Sequence, residues 1–301
     1  MLKRTLFFES PGHISLADRQ LCFTQRVGEN ASERRTIPVE DIGMIIVENR
    51  QVTFTVALIQ ALIENNAVIV FCDEKHLPLA YCLSMAGNAT ASRIVQAQLT
   101  ATQTLKNRLW KQTVSAKIHN QAQVLKHCET DGALRLERLA SQVKNGDSDN
   151  SEGVAARYYF SAVTKHSGFT RSREGEMPNA ALNYGYAVLR ATMARALVGS
   201  GLICVTGIHH HNQYNPLCLA DDIMEPYRPF IDDLVFSSPT LFSGDNITRD
   251  MKQRLLEILA VDVSISGMKR PLQNAMSYTT ASLARCFLKE GINIDYPEFP
   301  T

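Results

Sequence analysis

Ala86-Gly87-Asn88-Ala89-Thr90 is the stretch at which the character of this chain changes. Ahead of it stands Ala67-Val68-Ile69-Val70-Phe71, an apolar block of the kind that makes a strand buried on both faces. Behind it, residues 92–126 contain neither Gly nor Pro, and Ile94, Leu99, Leu105, Leu109, Ile118 and Leu125 recur at helix-compatible intervals. A β-rich segment therefore gives way to a helical one across a short linker near 84–91.

Working outward, residues 5–8, 20–25 and 42–47 are short runs rich in β-branched and aromatic side chains, punctuated by Gly12, Asn30 and Gly43. One helix interrupts them, with Val56, Leu58, Ile59, Leu62 and Ile63 as its apolar stripe and Asn65-Asn66 as its end. Past the linker, 92–126 is predicted to be one long helix or two broken near its middle. Further helices are predicted at 132–144, 152–163, 179–198, 217–235, 249–260 and 271–289. Gly, Pro, Ser and Asp mark the connectors 145–151, 164–178, 199–216 and 236–248. The expected fold class is α+β in two domains: a small N-terminal β-rich domain over 1–85 and a larger all-α C-terminal domain over 92–301. The last ten residues look extended and are expected to be mobile.

With 301 residues, 45% of them hydrophobic and 20% charged, the composition is that of a soluble globular protein with a full core. No apolar run reaches the roughly eighteen residues a membrane span needs. Met1-Leu2-Lys3-Arg4-Thr5 leads into no secretory h-region. Seven cysteines, an odd number with no C-x-x-C pair, read as reduced core thiols in a cytoplasmic protein. The net charge of +1 conceals an uneven distribution. Residues 101–145 carry eight Lys/Arg against three Asp/Glu, and 157–195 carry six against two. Residues 221–233 reverse this, with five acids against one arginine. A basic surface around an acidic pocket is what a metal-dependent nuclease needs, although solvated helix faces produce the same pattern.

Chemistry concentrates in Gly207-Ile208-His209-His210-His211-Asn212 and Asp221-Asp222-Ile223-Met224-Glu225-Pro226. Imidazoles on a turn and carboxylates on the next helix form a nitrogen and oxygen donor set suited to a divalent ion that handles phosphate oxygens. Asp222 and Glu225 are spaced i,i+3 and share a helix face, whereas Asp221 pairs with Glu225 at i,i+4. Pro226 and Pro229 predict a kink or restart just past Glu225. Asn150-Ser151-Glu152 opens a helix with Ser151 as its N-cap and Glu152 in the first turn. Taken alone, Glu152 reads first as a glutamate that complements the helix dipole. Arg157, Tyr158 and Tyr159 follow. An arginine beside tyrosines can grip phosphate and stack on bases, and the tyrosines serve as readily in a core.

Three segments together resemble the CRISPR-associated spacer-acquisition integrase family, the larger protein of the adaptation pair. They are Ser151-Glu152-Gly153-Val154-Ala155-Ala156-Arg157-Tyr158-Tyr159-Phe160, Asn179-Ala180-Ala181-Leu182-Asn183-Tyr184-Gly185-Tyr186-Ala187, and the run from Gly207 to Asn212 continued by Leu219 to Pro229. The third looks most like the branch that works beside a single large RNA-guided effector nuclease. The resemblance implies a metal site of Glu152, His210 and Glu225, with His210 chosen for its interval after Gly207 and His209 and His211 kept open. Asp222 matches a second acid that either binds metal or supports the ligands. The cofactor implied is Mg²⁺ or Mn²⁺. The reaction implied is transesterification, in which a DNA 3′-hydroxyl attacks a phosphodiester at the edge of a repeat.

The partners implied are double-stranded DNA (prespacer and repeat array), a small adaptation protein, a second copy of this chain through the β domain, and a hetero-hexamer built from these. The effector nuclease is a further candidate partner. Arg157, Tyr158 and the basic stretches would hold DNA backbones. Without the resemblance, a structure-selective metal nuclease of DNA repair would fit the same residues, and so would a helical DNA-binding scaffold.

Overall fold

Ile42–Val47, six consecutive residues without a polar side chain, are all buried and form the strand around which the N-terminal unit is built. This architecture comes from a computed structural model that describes residues 3–26, 32–74, 78–85, 88–164, 169–172 and 175–300. The chain divides into two compact units, Met1–Ala89 and Thr90–Thr301.

In the first unit the strands are β1 (Arg4–Phe8), β2 (Gly12–Ala17), β3 (Gln20–Arg26), β4 (Ser32–Pro38), β5 (Ile42–Val47) and β6 (Val52–Phe54), then helix α1 (Val56–Glu64), then β7 (Val68–Cys72) and β8 (Pro78–Cys82). The described strands pair as two four-stranded sheets, one in the order β1-β5-β7-β8 and one in the order β4-β3-β2-β6. β5 lies parallel to both β1 and β7, which explains its unbroken apolar run. Phe8, Ile14, Leu21, Ile42, Ile45, Leu58, Leu62 and Ile69 form one core shared by the sheets and α1. Asn66 takes a left-handed turn (φ 55°) directly after α1, as its Asn-Asn ending suggests. β2 and β4 were not singled out in the sequence. Glu33, Arg34 and Arg35 give β4 a polar surface, and its pairing with β3 makes it a strand despite its composition.

The second unit is mostly helical: α2 (Ala91–Leu99), α3 (Gln103–His127), α4 (Ala133–Gln142), α5 (Ser151–Val163), α6 (Asn179–Gly199), α7 (Cys218–Ile223), α8 (Arg228–Ser237) and α9 (Arg249–Glu257), then strands β9 (Asp262–Ile265) and β10 (Met268–Pro271), then α10 (Leu272–Phe287). The β9–β10 hairpin corrects the expectation of an all-α domain, since Ser266 and Gly267, both at positive φ, make a two-residue turn there. The break in the predicted long helix falls at 100–102 rather than near its middle. Thr102 is extended, and its hydroxyl accepts from Leu105 N, so it caps α3. The predicted restart after Glu225 is present as a 3₁₀ turn, Glu225–Tyr227, between α7 and α8.

Contrary to the expected mobility, residues 293–298 are fastened. Glu298 and Ser264 exchange backbone hydrogen bonds, Tyr296 Oη meets Thr113 Oγ1 at 2.7 Å, and Asn120 Nδ2 donates to Pro297 O. Three of the seven cysteines are buried, the other four are half-buried, and none is bonded to another. Among the described residues, no helix is long and apolar enough to cross a membrane.

Candidate metal centre

The histidine turn is organised from beneath by Asp222. This carboxylate is fully buried and accepts from the backbone N–H groups of Ile208 (2.7 Å), His209 (2.9 Å) and His210 (3.2 Å), and from His210 Nδ1 at 2.5 Å. An ionised carboxylate only accepts, so Nδ1 carries the proton, and in the neutral ring Nε2 keeps the lone pair a metal requires. Gly207 makes this close approach possible. A Cβ there would stand 2.5 Å from His210 O and 2.6 Å from Asp222 Oδ2. From the other side, Gln98 bonds Ile203 N, Ile203 O and Thr206 O, pinning the stem of the turn to α2. His209 stacks on buried Trp110, with ring centroids 4.2 Å apart and planes at 3°. His211 is exposed.

The three acids of 221–225 take separate tasks. Asp221 is engaged by Arg190 through two hydrogen bonds of 2.7 and 2.8 Å. Asp222 turns toward the histidine loop. Glu225, displaced by the 3₁₀ turn, meets Glu152 through a shared cation: Lys117 Nζ on α3 lies 2.6 Å from Glu152 Oε1 and 2.6 Å from Glu225 Oε2. The two carboxylate oxygens are therefore no further apart than twice that distance. Arg228 holds the other oxygen of Glu225 at 2.9 Å and lies over the Tyr186 ring at 4.8 Å. Tyr186 and Tyr159 in turn donate to buried Asp232. The 3₁₀ turn is tied down by Asn120 Nδ2 to Pro226 O (2.8 Å) and by Tyr227 Oη to Thr279 Oγ1 (2.6 Å).

Glu152 is placed by its own helix start. Asp147 accepts from the N–H of Ser151 (2.8 Å) and of Glu152 (3.1 Å). The N-cap is Asn150, in a left-handed conformation with its side chain accepting from Gly153 N. Ser151 is the first helical residue, one position after the cap predicted for it.

The charges of the site are set by burial and pairing. Burial opposes the charge on Lys117, but attraction to Glu225 and Glu152 prevails and holds its ammonium above the ordinary lysine range. Burial likewise opposes ionisation of Glu225, and Arg228 and Lys117 together hold it below the ordinary carboxylate range. The bond to Asp222 raises His210, while burial and the neighbouring His210 lower His209. His210 is thus the nitrogen whose protonation state the protein controls through a carboxylate.

Among the described residues, no group of three or more His, Cys, Asp or Glu side chains is poised to hold a metal ion. Lys117 Nζ lies between the two glutamates instead. The donors nevertheless fit a Mg²⁺ or Mn²⁺ ion. Two carboxylates are the oxygen donors such ions take, and the buried Oε2 of Glu225 has the Lys117 ion pair but no hydrogen bond.

Lys117, Arg228 and Trp110 were not identified in the sequence. Lys117 was counted with the basic stretch 101–145 expected to face DNA, and it points inward instead. The signal was available: buried Trp110, Val114, Lys117, Gln121 and Val124 fall on one stripe of α3, and a lysine on such a stripe needs a partner. Arg157 is exposed and borders a hollow of about 570 Å³ with Phe160, Phe169 and Arg171. Half-buried Tyr158 carries Arg135 over its ring at 4.3 Å, while Tyr159 belongs to the core.

The family described as CRISPR associated protein Cas1 matches residues 6–270. The chain is 39% identical over 270 residues to the CRISPR-associated endonuclease Cas1 of Neisseria meningitidis serogroup C (strain 8013), covering 88% of this chain and 86% of that protein. It superposes on a casposase bound to integration product with a TM-score of 0.81 at 19% identity, covering 98% of this chain and 92% of that one. A chain of a Cas6-RT-Cas1–Cas2 complex gives a TM-score of 0.72 at 17% identity, covering 97% of this chain and 36% of that one. At these identities the two structural likenesses concern the fold.

Proposed function

The chain belongs to the Cas1 family of CRISPR-associated proteins, and from that premise we propose that it is a metal-dependent DNA integrase of CRISPR adaptation. It joins the 3′-hydroxyl of a short DNA fragment to a phosphodiester at a repeat edge. The observation that carries this reading is the meeting of Glu152, from the start of α5, and Glu225, from the turn after α7, on a single nitrogen beside the Asp222-ordered turn.

Glu152, Glu225 and His210 Nε2 would hold a Mg²⁺ or Mn²⁺ ion, which supplies Lewis-acid stabilisation at a phosphodiester and a lowered pKa for the attacking hydroxyl. The protein's own groups do the positioning. Asp222 fixes the rotation and tautomer of His210. Arg228 holds Glu225 Oε1 while Lys117 holds Oε2, so both oxygens of this carboxylate are oriented. Trp110 fixes His209 beside His210. No protein nucleophile is needed, and burial pushes the Cys204 thiol up to about 12, far from a reactive thiolate.

The partners proposed are double-stranded DNA, a Cas2-like small protein, and a second copy of this chain through the β-rich unit, assembling into a hetero-hexamer. A Cas1–Cas2 complex among the structures of this fold supports the second of these. Arg157, with Arg171 and the two phenylalanines of its hollow, is proposed to contact DNA backbone and bases.

The test is to incubate the protein and its small partner with a labelled duplex fragment and a repeat-bearing plasmid. Covalent joining that requires Mg²⁺ or Mn²⁺, stops in EDTA, and is lost in Glu152→Ala and Glu225→Ala is expected. Cleavage of branched DNA with no joined product would replace the integrase with a repair nuclease. Joining that survives in chelator would remove the metal centre.

A further inference from the structure

We propose, building on the metal-centre reading above, that Lys117 is an exchangeable internal counter-cation of this site: its ammonium holds Glu152 and Glu225 together until a divalent ion replaces it. The geometry is specific. Nζ is 2.6 Å from one oxygen of each glutamate, so it occupies the gap between the two donors an ion would use. An ammonium and a divalent ion drawn to those two oxygens compete for the same gap and repel each other across it.

The charges point the same way. Glu225 and Glu152 are balanced by Lys117 and Arg228, and the Glu225 and Lys117 side chains are only 6% and 11% exposed. A divalent ion added with both bases in place would leave a buried excess of two positive charges. Departure of Lys117 halves that excess. Without either cation, two carboxylates would face each other with one of them buried, which is strongly unfavourable.

The two basic residues differ in their ability to leave. Arg228 is fixed by Glu225 Oε1 and lies over the Tyr186 ring, and its guanidinium keeps its charge and orientation. Lys117 is a point charge on a flexible four-carbon stem, held by its two ion pairs. The ion therefore exchanges with Lys117 and retains Arg228. A permanent structural lysine would behave differently: its removal would let the glutamates drift apart and weaken ion binding.

The test uses Mn²⁺ alone, with bound and free ion read by electron paramagnetic resonance, on the wild type, Lys117→Met and Lys117→Gln. Thermal melting of each is recorded with and without Mn²⁺. The expected result is that both variants bind Mn²⁺ more tightly, by on the order of tenfold, because the competitor is gone. They should also melt below the wild type without the ion and recover with it. Binding equal to or weaker than wild type overturns the exchange and makes Lys117 a fixed support. Should both variants fail to fold, the wild type still decides: acetylation of Lys117, followed by mass spectrometry, should accelerate as Mn²⁺ is added, and an unchanged rate overturns the proposal. If wild-type protein binds no Mn²⁺ and Glu225→Gln alters nothing, the metal centre itself fails and the proposal with it. That result differs from failure of the exchange alone, in which the wild type binds and Glu225→Gln does not.

Discussion

The β-rich unit and the helical unit solve the problem of burial in opposite ways. In the first, Glu48 is the one buried charged side chain among the described residues, and the core is mostly Ile, Leu, Val and Phe, with Ala67, Met44 and Cys22. In the second, Lys117, Asp222, Glu225, Asp232 and Lys252 are all buried. An apolar core tolerates changes of shape by degrees, whereas buried charge is stable only while each partner is present. The first unit is therefore specified by pattern and the second by pairing.

The contrast can be broken from the apolar side. Ile45 lies on the central strand with no exposure. Ile45→Ala should lower the stability of the N-terminal unit by roughly 2–5 kcal/mol, read by denaturant unfolding, and leave Mn²⁺ affinity of the folded protein unchanged. A loss below about 1 kcal/mol would mean that the two-sheet core is looser than its burial indicates.

A second measurement probes pairing away from the metal centre. Burial pushes the Asp232 carboxyl up to about 6 from its ordinary 3.8, against the hydrogen bonds of Tyr186 and Tyr159. The folded protein thus keeps a proton that the unfolded chain releases. The stabilisation is complete below about pH 4 and is lost as pH rises through about 6. Across that window the wild type should lose on the order of 2 kcal/mol relative to Asp232→Asn, which cannot titrate. A difference in melting temperature that stays flat from pH 4 to 7 would show Asp232 ionised throughout.

The smallest effect expected is also the most local. Asp222→Asn keeps the size of the side chain but loses the charge and one acceptor beneath the histidine turn. Strand transfer should fall by roughly 10–100-fold, with the N-terminal unit unaffected. Activity within twofold of wild type would remove Asp222 as the residue that positions His210.

Legibility followed the same division. Residues 42–47, 67–71 and the stripe of α1 announced themselves because apolar periodicity is a one-dimensional property of the chain. β4 did not, since Glu33, Arg34 and Arg35 become a strand only by pairing with β3. The β9–β10 hairpin is written in Val261, Val263 and Ile265 with Ser266-Gly267 after them, but its strands are only four residues each and lie between two longer helical patterns. In the site, Glu152, His210 and Glu225 were found by resemblance, and the structure brings Glu152 and Glu225 onto one nitrogen. Periodicity puts Lys117 on the buried stripe of α3 but names no partner for it, and neither periodicity nor motif reveals that Glu225 faces Arg228. The division of labour among Asp221, Asp222 and Glu225 likewise depends on the 3₁₀ turn, which spacing on an ideal helix does not anticipate.

Asn120 gives one amide nitrogen to two carbonyls, Pro226 O beside Glu225 and Pro297 O in the fastened segment 293–298. That single amide works as a buckle: it couples a stretch distant in sequence from every acidic ligand to the backbone on which Glu225 is mounted. Trimming or tagging near residue 297 is thus an intervention in the alignment of the acidic pair, and a loss of activity in such a variant would report on the strap before it reported on DNA.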